Sequence, residues 1–169
     1  MSPTPGYGPG PGDAMGLAFL AGLSFLFVLV GIVLYLLFSF GLYTMAKRRN
    51  LENPWLAFIP VAQLYTMGEL IGPVKIANYN VDQPGLYLLA GAVGLWVLSL
   101  IPLLGIIFSL ATAVLMGGAL YFLFSRYTTD STPIILTVVS ILFLIPGPII
   151  VFVLRNKDYI EPPEISSPM

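Results

Sequence analysis

Long apolar runs separated by short polar connections dominate this chain. The first run has no charged residue between Asp13 and Lys47, over 33 positions. About 20 residues of helix cross a bilayer, so this run predicts one tilted span over about residues 15–46. The Lys47-Arg48-Arg49 cluster that follows favours the cytoplasmic side and contact with lipid headgroups, which places the N-terminus outside.

The second run, residues 86–125, has 40 positions without a charge. A straight helix of that length would measure about 60 Å, twice the hydrocarbon thickness of a bilayer. The run must therefore fold back on itself, and Ile101-Pro102 is the expected turn because proline disrupts a helix. Two spans are predicted, over about residues 85–101 and 103–125.

The last apolar run covers residues 133–154 and predicts a fourth span. Simple alternation then puts Arg155 and Lys157 outside, against the preference of basic residues for the cytoplasm. Pro146-Gly147-Pro148 offers an alternative, in which the segment bends back as a re-entrant hairpin and the C-terminus returns to the cytoplasm. Both arrangements remain open at this point.

A shorter segment, about residues 54–71, predicts a helix that lies in the interface or dips partway into the membrane. Asn53-Pro54 is typical of a helix start, with proline at the first helical position. The polar side chains of Gln63, Thr66 and Glu69 recur every three residues and so fall along one helical stripe. The other positions are mostly apolar, which makes the segment amphipathic.

The predicted fold is thus an all-α integral membrane protein with four transmembrane helices and one interfacial or re-entrant helix. Its first residues, MSPTPGYGPGPG, are mostly proline and glycine, a composition that cannot bury a core. The expected organisation is a disordered tail over 1–14, a single transmembrane domain over 15–155 and a flexible tail over 156–169. The expected location is the plasma membrane, with several crossings.

Composition agrees with this class and excludes much chemistry. Hydrophobic residues make up 57% of the chain and charged residues only 9%, against about 25% in a typical soluble domain. Cysteine and histidine are both absent, which removes thiolate and imidazole chemistry. The spans contain neither aspartate pairs nor a lysine beside a serine, so no enzymatic activity, metal or cofactor is expected. A net charge of −1 gives no indication of nucleic acid as a partner.

Glu69 is the candidate ion or proton site, together with Gln63 and Thr66 on its stripe. An ionisable side chain within the membrane is costly and typical of a functional path. The alternative is an interfacial glutamate whose carboxylate reaches water or meets Lys75.

Small residues recur every four positions in the second arm of the predicted hairpin, and they can let two membrane helices approach closely. Ala90 and Gly94 on the first arm are candidates for the facing surface. The alternatives are a contact within this chain and a contact with a second copy or another membrane protein. The series consists of Gly105, Ser109, Ala113 and Gly117.

Three Ile-Pro pairs, at Ile59-Pro60, Ile101-Pro102 and Ile145-Pro146, either mark a degenerate repeat or reflect the frequency of proline in membrane helices. The segments ENPWLAFIPVAQLYTMGELIG, LWVLSLIPLLGIIFSLATAVL and LFSRYTTDSTPIILTVVSILFLIPGPIIVFV carry these pairs. Over about residues 45–155 the chain resembles a family of small, uncharacterised bacterial multi-span membrane proteins with repeated Ile-Pro hairpin motifs. The resemblance implies several membrane crossings and no particular activity.

Three functional hypotheses follow. The first is an accessory or scaffold protein that packs with itself or with a larger membrane complex, in the lipid bilayer. The second is a small transporter or channel with Glu69 in a polar path. The third is sensing of anionic lipid by the helix over 54–71 beside Lys47-Arg48-Arg49, at roughly 1 kcal/mol per basic residue.

Overall fold

The computed structural model describes residues 10–76, 79–101, 105–129, 131–143 and 145–161. Within them the chain is helical apart from one short antiparallel hairpin, so the all-α class is confirmed. The elements are α1 (Pro11–Arg48), a 3₁₀ helix (Pro54–Phe58), α2 (Ala62–Ile71), β1 (Val74–Ile76), β2 (Tyr79–Val81), α3 (Pro84–Ser99), α4 (Gly105–Ser125), α5 (Thr132–Phe143) and α6 (Pro146–Leu154).

Helix α1 begins at Pro11, inside the stretch predicted as a tail. Proline suits the first helical position because its missing N–H would have no partner there. The backbone N–H of Gly10 donates to the Asp13 carboxylate at 2.9 Å, which ties the first turn together. Residues 1–9 of the predicted tail lie outside the described part. The α1 helix is exposed over residues 12–33 and becomes buried only towards its C-terminal end.

Among the described residues, two helices are long and apolar enough to cross a membrane, namely Gly12–Arg48 within α1 and Gly105–Ser125, which is α4. The α3 helix is also apolar but has 16 residues, and α5 has 12. The α3 and α4 helices pack against each other, since a Cβ added at Gly91 would lie 3.3 Å from the side chain of Leu115. The described part of α3 ends in a turn at Leu100 and Ile101; Pro102, the predicted turning residue, lies outside the described residues.

The last apolar run forms two helices, α5 and α6, where one span over 133–154 was predicted. At 1.5 Å per residue they measure about 18 and 14 Å, each shorter than the roughly 30 Å of hydrocarbon. Proline at Pro146 and Pro148 cannot continue the hydrogen bonds of α5, so a new helix starts there. The structure therefore has the reversal that the Pro146-Gly147-Pro148 alternative describes.

Glycine contacts fix the direction of the two short helices. A Cβ added at Gly117 in α4 would lie 2.9 Å from Ile141 in α5, and one added at Gly41 in α1 would lie 2.9 Å from Val151 in α6. Seven residues beyond Gly41 and seven residues beyond Val151, Arg48 forms an ion pair with Asp158. The α6 helix therefore runs parallel to α1, and the chain after it reaches the end of the molecule where α1 ends.

The amphipathic segment over 54–71 is interrupted at Ile59-Pro60. Ile59 has extended backbone angles, which is the usual consequence of preceding a proline. The chain therefore makes a 3₁₀ helix, a bend and then the 10-residue α2. The Phe58 ring packs on Phe40 of α1 at a centroid distance of 5.0 Å. Six of the ten α2 residues are buried, so α2 is largely enclosed by its neighbours.

The chain after α2 forms an antiparallel hairpin of β1 and β2 that was not predicted from the sequence. Val74 pairs with Val81 and Lys75 with Asn80, so apolar side chains share one face and polar side chains the other. The hydrophobic core lies near the end of the molecule that carries the hairpin. Its fully buried members include Leu42, Leu70, Leu123, Phe124 and Val151.

Charge is distributed very unevenly along the molecule. The seven Lys and Arg residues all lie on elements that meet at the C-terminal end of α1, on which Arg126 and the segment after α6 also converge. Arg155 and Lys157 belong to this group because α6 returns to that end. Among the described residues, only Asp13 carries a charge at the opposite end of α1.

Candidate functional site

Gln63, the first residue of the predicted polar stripe, joins α2 to α1. Its side chain is 7% exposed, and its amide nitrogen donates to the Ser39 hydroxyl at 2.6 Å. Ser39 in turn donates to the carbonyl of Tyr35 at 2.9 Å. Burying a polar group without a hydrogen-bond partner costs free energy of folding, and these two bonds give both Gln63 and Ser39 a partner. Gln63 therefore has a structural partner inside the protein.

Thr66 and Glu69 line a polar cavity of about 270 Å³. Thr66 is buried and its hydroxyl donates to the carbonyl of Ala62 at 3.3 Å, one turn back in α2. The loop after α1 also lines this cavity and contributes a second acidic residue, Glu52. The remaining lining residues are Asn50, Leu51, Asn53 and Tyr65. The structure thus places two of the three stripe residues in one cavity and Gln63 elsewhere.

Glu69 lies half-buried against the start of α3. A Cβ added at Gly85 would lie 2.6 Å from its carboxylate oxygen, so only glycine leaves room for this side chain. Glu69 and Lys75 do not form an ion pair. Among the described residues, the ion pair that occurs joins Arg48 to Asp158. The cavity can offer carboxylate, amide and hydroxyl oxygens to a small cationic group. Across the described residues, no cluster of three potential metal ligands occurs.

Two arginines satisfy the free carbonyl groups at the C-terminal end of α2. Arg49 donates to the carbonyls of Glu69 and Leu70 at 3.1 and 2.9 Å. Arg126 donates from Nε to Ile71 at 2.8 Å and from a terminal nitrogen to Pro73 at 3.0 Å. The last carbonyls of a helix lack partners within it and carry partial negative charge, so cations are favourable here.

Gly72 makes this arrangement possible. Its φ of +68° lies in the left-handed region, which glycine adopts without steric cost. A Cβ there would also lie 2.9 Å from the Tyr159 hydroxyl. The chain can therefore leave α2 sharply while both guanidinium groups reach the exposed carbonyls.

The segment after α6 closes over the same site. The Arg49 guanidinium lies 3.7 Å from the centroid of the Tyr159 ring, and the Tyr159 hydroxyl donates to the Ile71 carbonyl at 3.3 Å. The backbone N–H of Ile160 donates to the carbonyl of Arg126 at 2.7 Å. Residues 158–160, predicted as part of a flexible tail, are thus held by several contacts.

Tyr127 is buried beside these groups, with its ring 5.9 Å from that of Tyr159 in an edge-to-face arrangement. Burial raises the pKa of its hydroxyl from 10.0 to about 12; Arg49 lowers the pKa and Tyr159 raises it. Within the described part of the chain, the hydroxyl has no hydrogen-bond partner. Tyr127 therefore stays protonated, and neutral, over the physiological range.

The three residues of the predicted headgroup cluster have different surroundings. Lys47 and Arg48 are exposed, and Arg48 pairs with Asp158 at 2.8 Å. Arg49 is turned towards α2 and Tyr159. Lys47 and Arg48 are therefore accessible at the surface, and their contact with headgroups stays a prediction, whereas Arg49 contributes to the fold.

The small-residue series on α4 does not form one continuous contact. Gly117 is buried against Ile141 of α5, while Ser109 and Ala113 are exposed. Because a step of four residues rotates by about 40° around an α-helix, the series winds around α4 and does not face one neighbouring helix along its whole length. The residue of α3 that faces α4 is Gly91. Of the two residues predicted to face α4, Ala90 is exposed, and a Cβ added at Gly94 would meet nothing within 4 Å.

Several important residues were missed by sequence reasoning. Gly68 and Gly85 lie at a close crossing of α2 and α3, where a Cβ added at Gly68 would lie 2.3 Å from the Cα of Gly85. Arg126 was treated only as a marker of topology, yet it is buried, with 8% exposure. Its position directly after an apolar helix was the available signal. No local signal identified Tyr159, because Ile71 and Arg49, which it contacts, are 88 and 110 positions away in sequence.

No family model, no curated protein and no solved structure matches this chain.

Proposed function

We propose that the chain is an integral membrane protein without enzymatic activity, an accessory or scaffold protein that assembles in the bilayer through the N-terminal half of α1. The observation that carries this proposal is the exposure of α1 over residues 12–33, where all large side chains are apolar. Gly16, Gly22 and Gly31 in this half have no neighbouring atom within 4 Å of an added Cβ. An apolar surface of this extent needs lipid or protein to cover it.

The length of α1 favours protein as part of the cover. Its charge-free run, residues 14–46, measures about 50 Å at 1.5 Å per residue. Fitting that length into roughly 30 Å of hydrocarbon by tilt alone needs an angle above about 50°, beyond the usual 0–40°. A helix from a partner would cover the apolar surface that the bilayer does not.

Small residues provide a surface for such a helix. Ala14, Ala18 and Gly22 recur every four positions on the exposed half of α1. Small residues at this spacing allow two membrane helices to approach closely, so that van der Waals contacts can hold them together. The exposed Ser109 and Ala113 on α4 form a second, smaller surface of the same kind.

The proposed topology has three crossings, by α1, α3 and α4, with α5 and α6 as a re-entrant hairpin. It places the end that carries the seven Lys and Arg residues in the cytoplasm, in accordance with the positive-inside rule. The N-terminus is then outside and the segment after α6 inside, in the plasma membrane. The resemblance to bacterial multi-span proteins supports the number of crossings only in general terms.

Single cysteines can test the assembly because the chain has none of its own. We expect Ala18→Cys or Gly22→Cys to give disulfide-linked dimers in native membranes, or adducts with another protein through a thiol-attached photocrosslinker. Leu20→Cys, on a different face of the same helix, is the matched control and should react much less. Equal, low capture at all three positions would contradict the proposal.

A second candidate function, movement of protons or small cations, is supported by the cavity that Glu52 and Glu69 both line. The bond from Gln63 to Ser39 weighs against a path that continues along the whole stripe. In proteoliposomes this function requires a flux that Glu69→Gln reduces and Glu161→Gln, an exposed control, does not. A wild-type protein that moves no ions would eliminate it.

A further inference from the structure

An apolar cavity lies between the β-hairpin, the first turns of α3 and the last part of α4. Its volume is about 330 Å³, within the range of about 300–1,000 Å³ usual for ligand pockets. The hairpin contributes Val74, Ile76 and Val81 from its apolar face, and α4 contributes Val114 and Phe122. Protein interiors are close-packed, so an opening of this size is a distinct structural feature.

The lining selects the kind of occupant. All twelve lining residues are apolar or glycine except Tyr87, whose ring is the larger part of its side chain. A polar metabolite would find no groups to orient it, and water does not fill an apolar cavity. An unbranched hydrocarbon chain needs only apolar surface and a suitable shape, both of which the cavity provides.

The cavity is continuous with a surface that the proposed topology exposes to lipid. Val114, at its edge, is 70% exposed, and Leu110 and Ile107 extend the same face of α4 away from the charged end. The hairpin end of the cavity lies beside Pro73, which Arg126 holds at the basic end of the molecule. A molecule that fits would have its polar group near the basic end and its hydrocarbon chain along α4.

We propose that this cavity binds one acyl chain of a membrane phospholipid, as a specific site distinct from the surrounding bilayer. The inference rests on the proposed membrane location of the chain. Gly118 is the residue through which the site can be closed, because an added Cβ there meets nothing within 4 Å. A larger side chain at this position would start from open space in the cavity wall and occupy part of the cavity.

The test uses the full chain in phosphatidylcholine vesicles that contain a small fraction of phosphatidylcholine with a photoreactive acyl chain. Cross-linked residues are mapped by mass spectrometry. We expect adducts on Leu88 and Phe122 in the wild type, and their loss in Gly118→Leu. Gly94→Leu on α3 is the matched control, since its Cβ also enters open space but lies outside the cavity, and it should label as the wild type does. Both variants are first compared with the wild type in thermal unfolding.

Phe25 and Leu26 on α1, 65% and 56% exposed, report contact with the bulk lipid in the same experiment. Labelling of α1 without labelling of the cavity would overturn the proposal while leaving the membrane location intact. Absence of labelling at both places would contradict the membrane location itself. A dimer that Gly118→Leu dissociates, with no labelled lipid in the cavity, would assign the cavity to a second copy of the chain and also overturn the proposal.

Discussion

The guanidinium group of Arg49 lies over the ring of Tyr159, with its central carbon 3.7 Å from the ring centroid, and the contact joins residues 110 positions apart. The same guanidinium donates to two carbonyls at the end of α2. One arginine therefore connects the end of α1, the end of α2 and the segment after α6. Stability of the whole fold is expected to depend on this contact and on its counterpart at Arg126.

Replacing Tyr159 by alanine should destabilise the protein by about 2 kcal/mol, the value typical of a desolvated cation–π contact. Tyr159→Phe keeps the ring and should cost much less, because it removes only the 3.3 Å bond to Ile71. Thermal unfolding in detergent micelles measures both. Tyr79→Ala, at a tyrosine that is 79% exposed, is the control and should have little effect. Equal losses for Tyr159→Phe and Tyr159→Ala would show that the stack contributes nothing.

Arg126→Ala should be more damaging, because it leaves the Ile71 and Pro73 carbonyls without their charged donor. Hydrogen bonds to a charged group contribute about 1.5–3 kcal/mol each, and two are lost. Arg48→Ala removes an exposed ion pair and should cost less than about 1 kcal/mol. Chemical unfolding of the two variants under identical conditions makes the comparison. An Arg126→Ala protein as stable as Arg48→Ala would refute the role given to Arg126.

Gly68→Ala should separate α2 from α3, because the new methyl group would overlap the Gly85 backbone. Contacts of 2.3 Å cannot be relieved by rotating a side chain, so we expect a large loss of stability. Gly94→Ala is the matched control on α3: it enters open space and should be stabilising by about 0.5–1 kcal/mol, since alanine favours helix. Similar melting temperatures for both variants would contradict the close crossing.

Stability should fall between pH 10 and 12 partly through Tyr127. Its pKa is 10.0 when unfolded and about 12 in the folded protein, so in that window the unfolded chain releases a proton that the folded protein keeps. Unfolding is then increasingly favoured as the pH rises, by at most about 2–3 kcal/mol. Tyr127→Phe should show a shallower decline in micelle unfolding measurements. A pH dependence unchanged by the substitution would exclude Tyr127 as a cause.

The α5–α6 hairpin predicts that Lys47→Cys and Asn156→Cys react with a membrane-impermeant thiol reagent from the same side of the membrane. Asp13→Cys should react from the other side. Four full spans would instead place position 156 with position 13. Labelling of sealed and of opened membrane vesicles separates these outcomes, and labelling of position 156 together with position 13 would exclude the re-entrant arrangement.

Run lengths and prolines predicted most of the helices. The α3–α4 reversal followed from length alone, because 40 apolar residues cannot lie straight in a bilayer. The break in the final run was foreseen only as an alternative, since Pro146 and Pro148 can either kink one helix or separate two. The choice depends on packing between Gly41 and Val151, which are far apart in sequence.

The candidate site was less predictable. The stripe of Gln63, Thr66 and Glu69 was correctly placed on one helix, yet Gln63 has a partner on α1 that helical periodicity cannot reveal. Glu52 was missed because the cavity forms only when the loop after α1 folds against α2. The hairpin was not predicted because each strand has only three residues. An alternation of apolar and polar residues this short cannot be distinguished from a loop.

Contacts made by residues 158–160 have a consequence for biosynthesis. These residues leave the ribosome after the six described helices have been made, and until then Arg49, Ile71 and Arg126 lack some of their partners. Those helices can insert into the membrane early, but the junction between them is completed only once residues 158–160 have been synthesised. A nascent chain truncated just before Asp158 would carry all six and still present an open, cationic junction to the quality-control proteases of the cell.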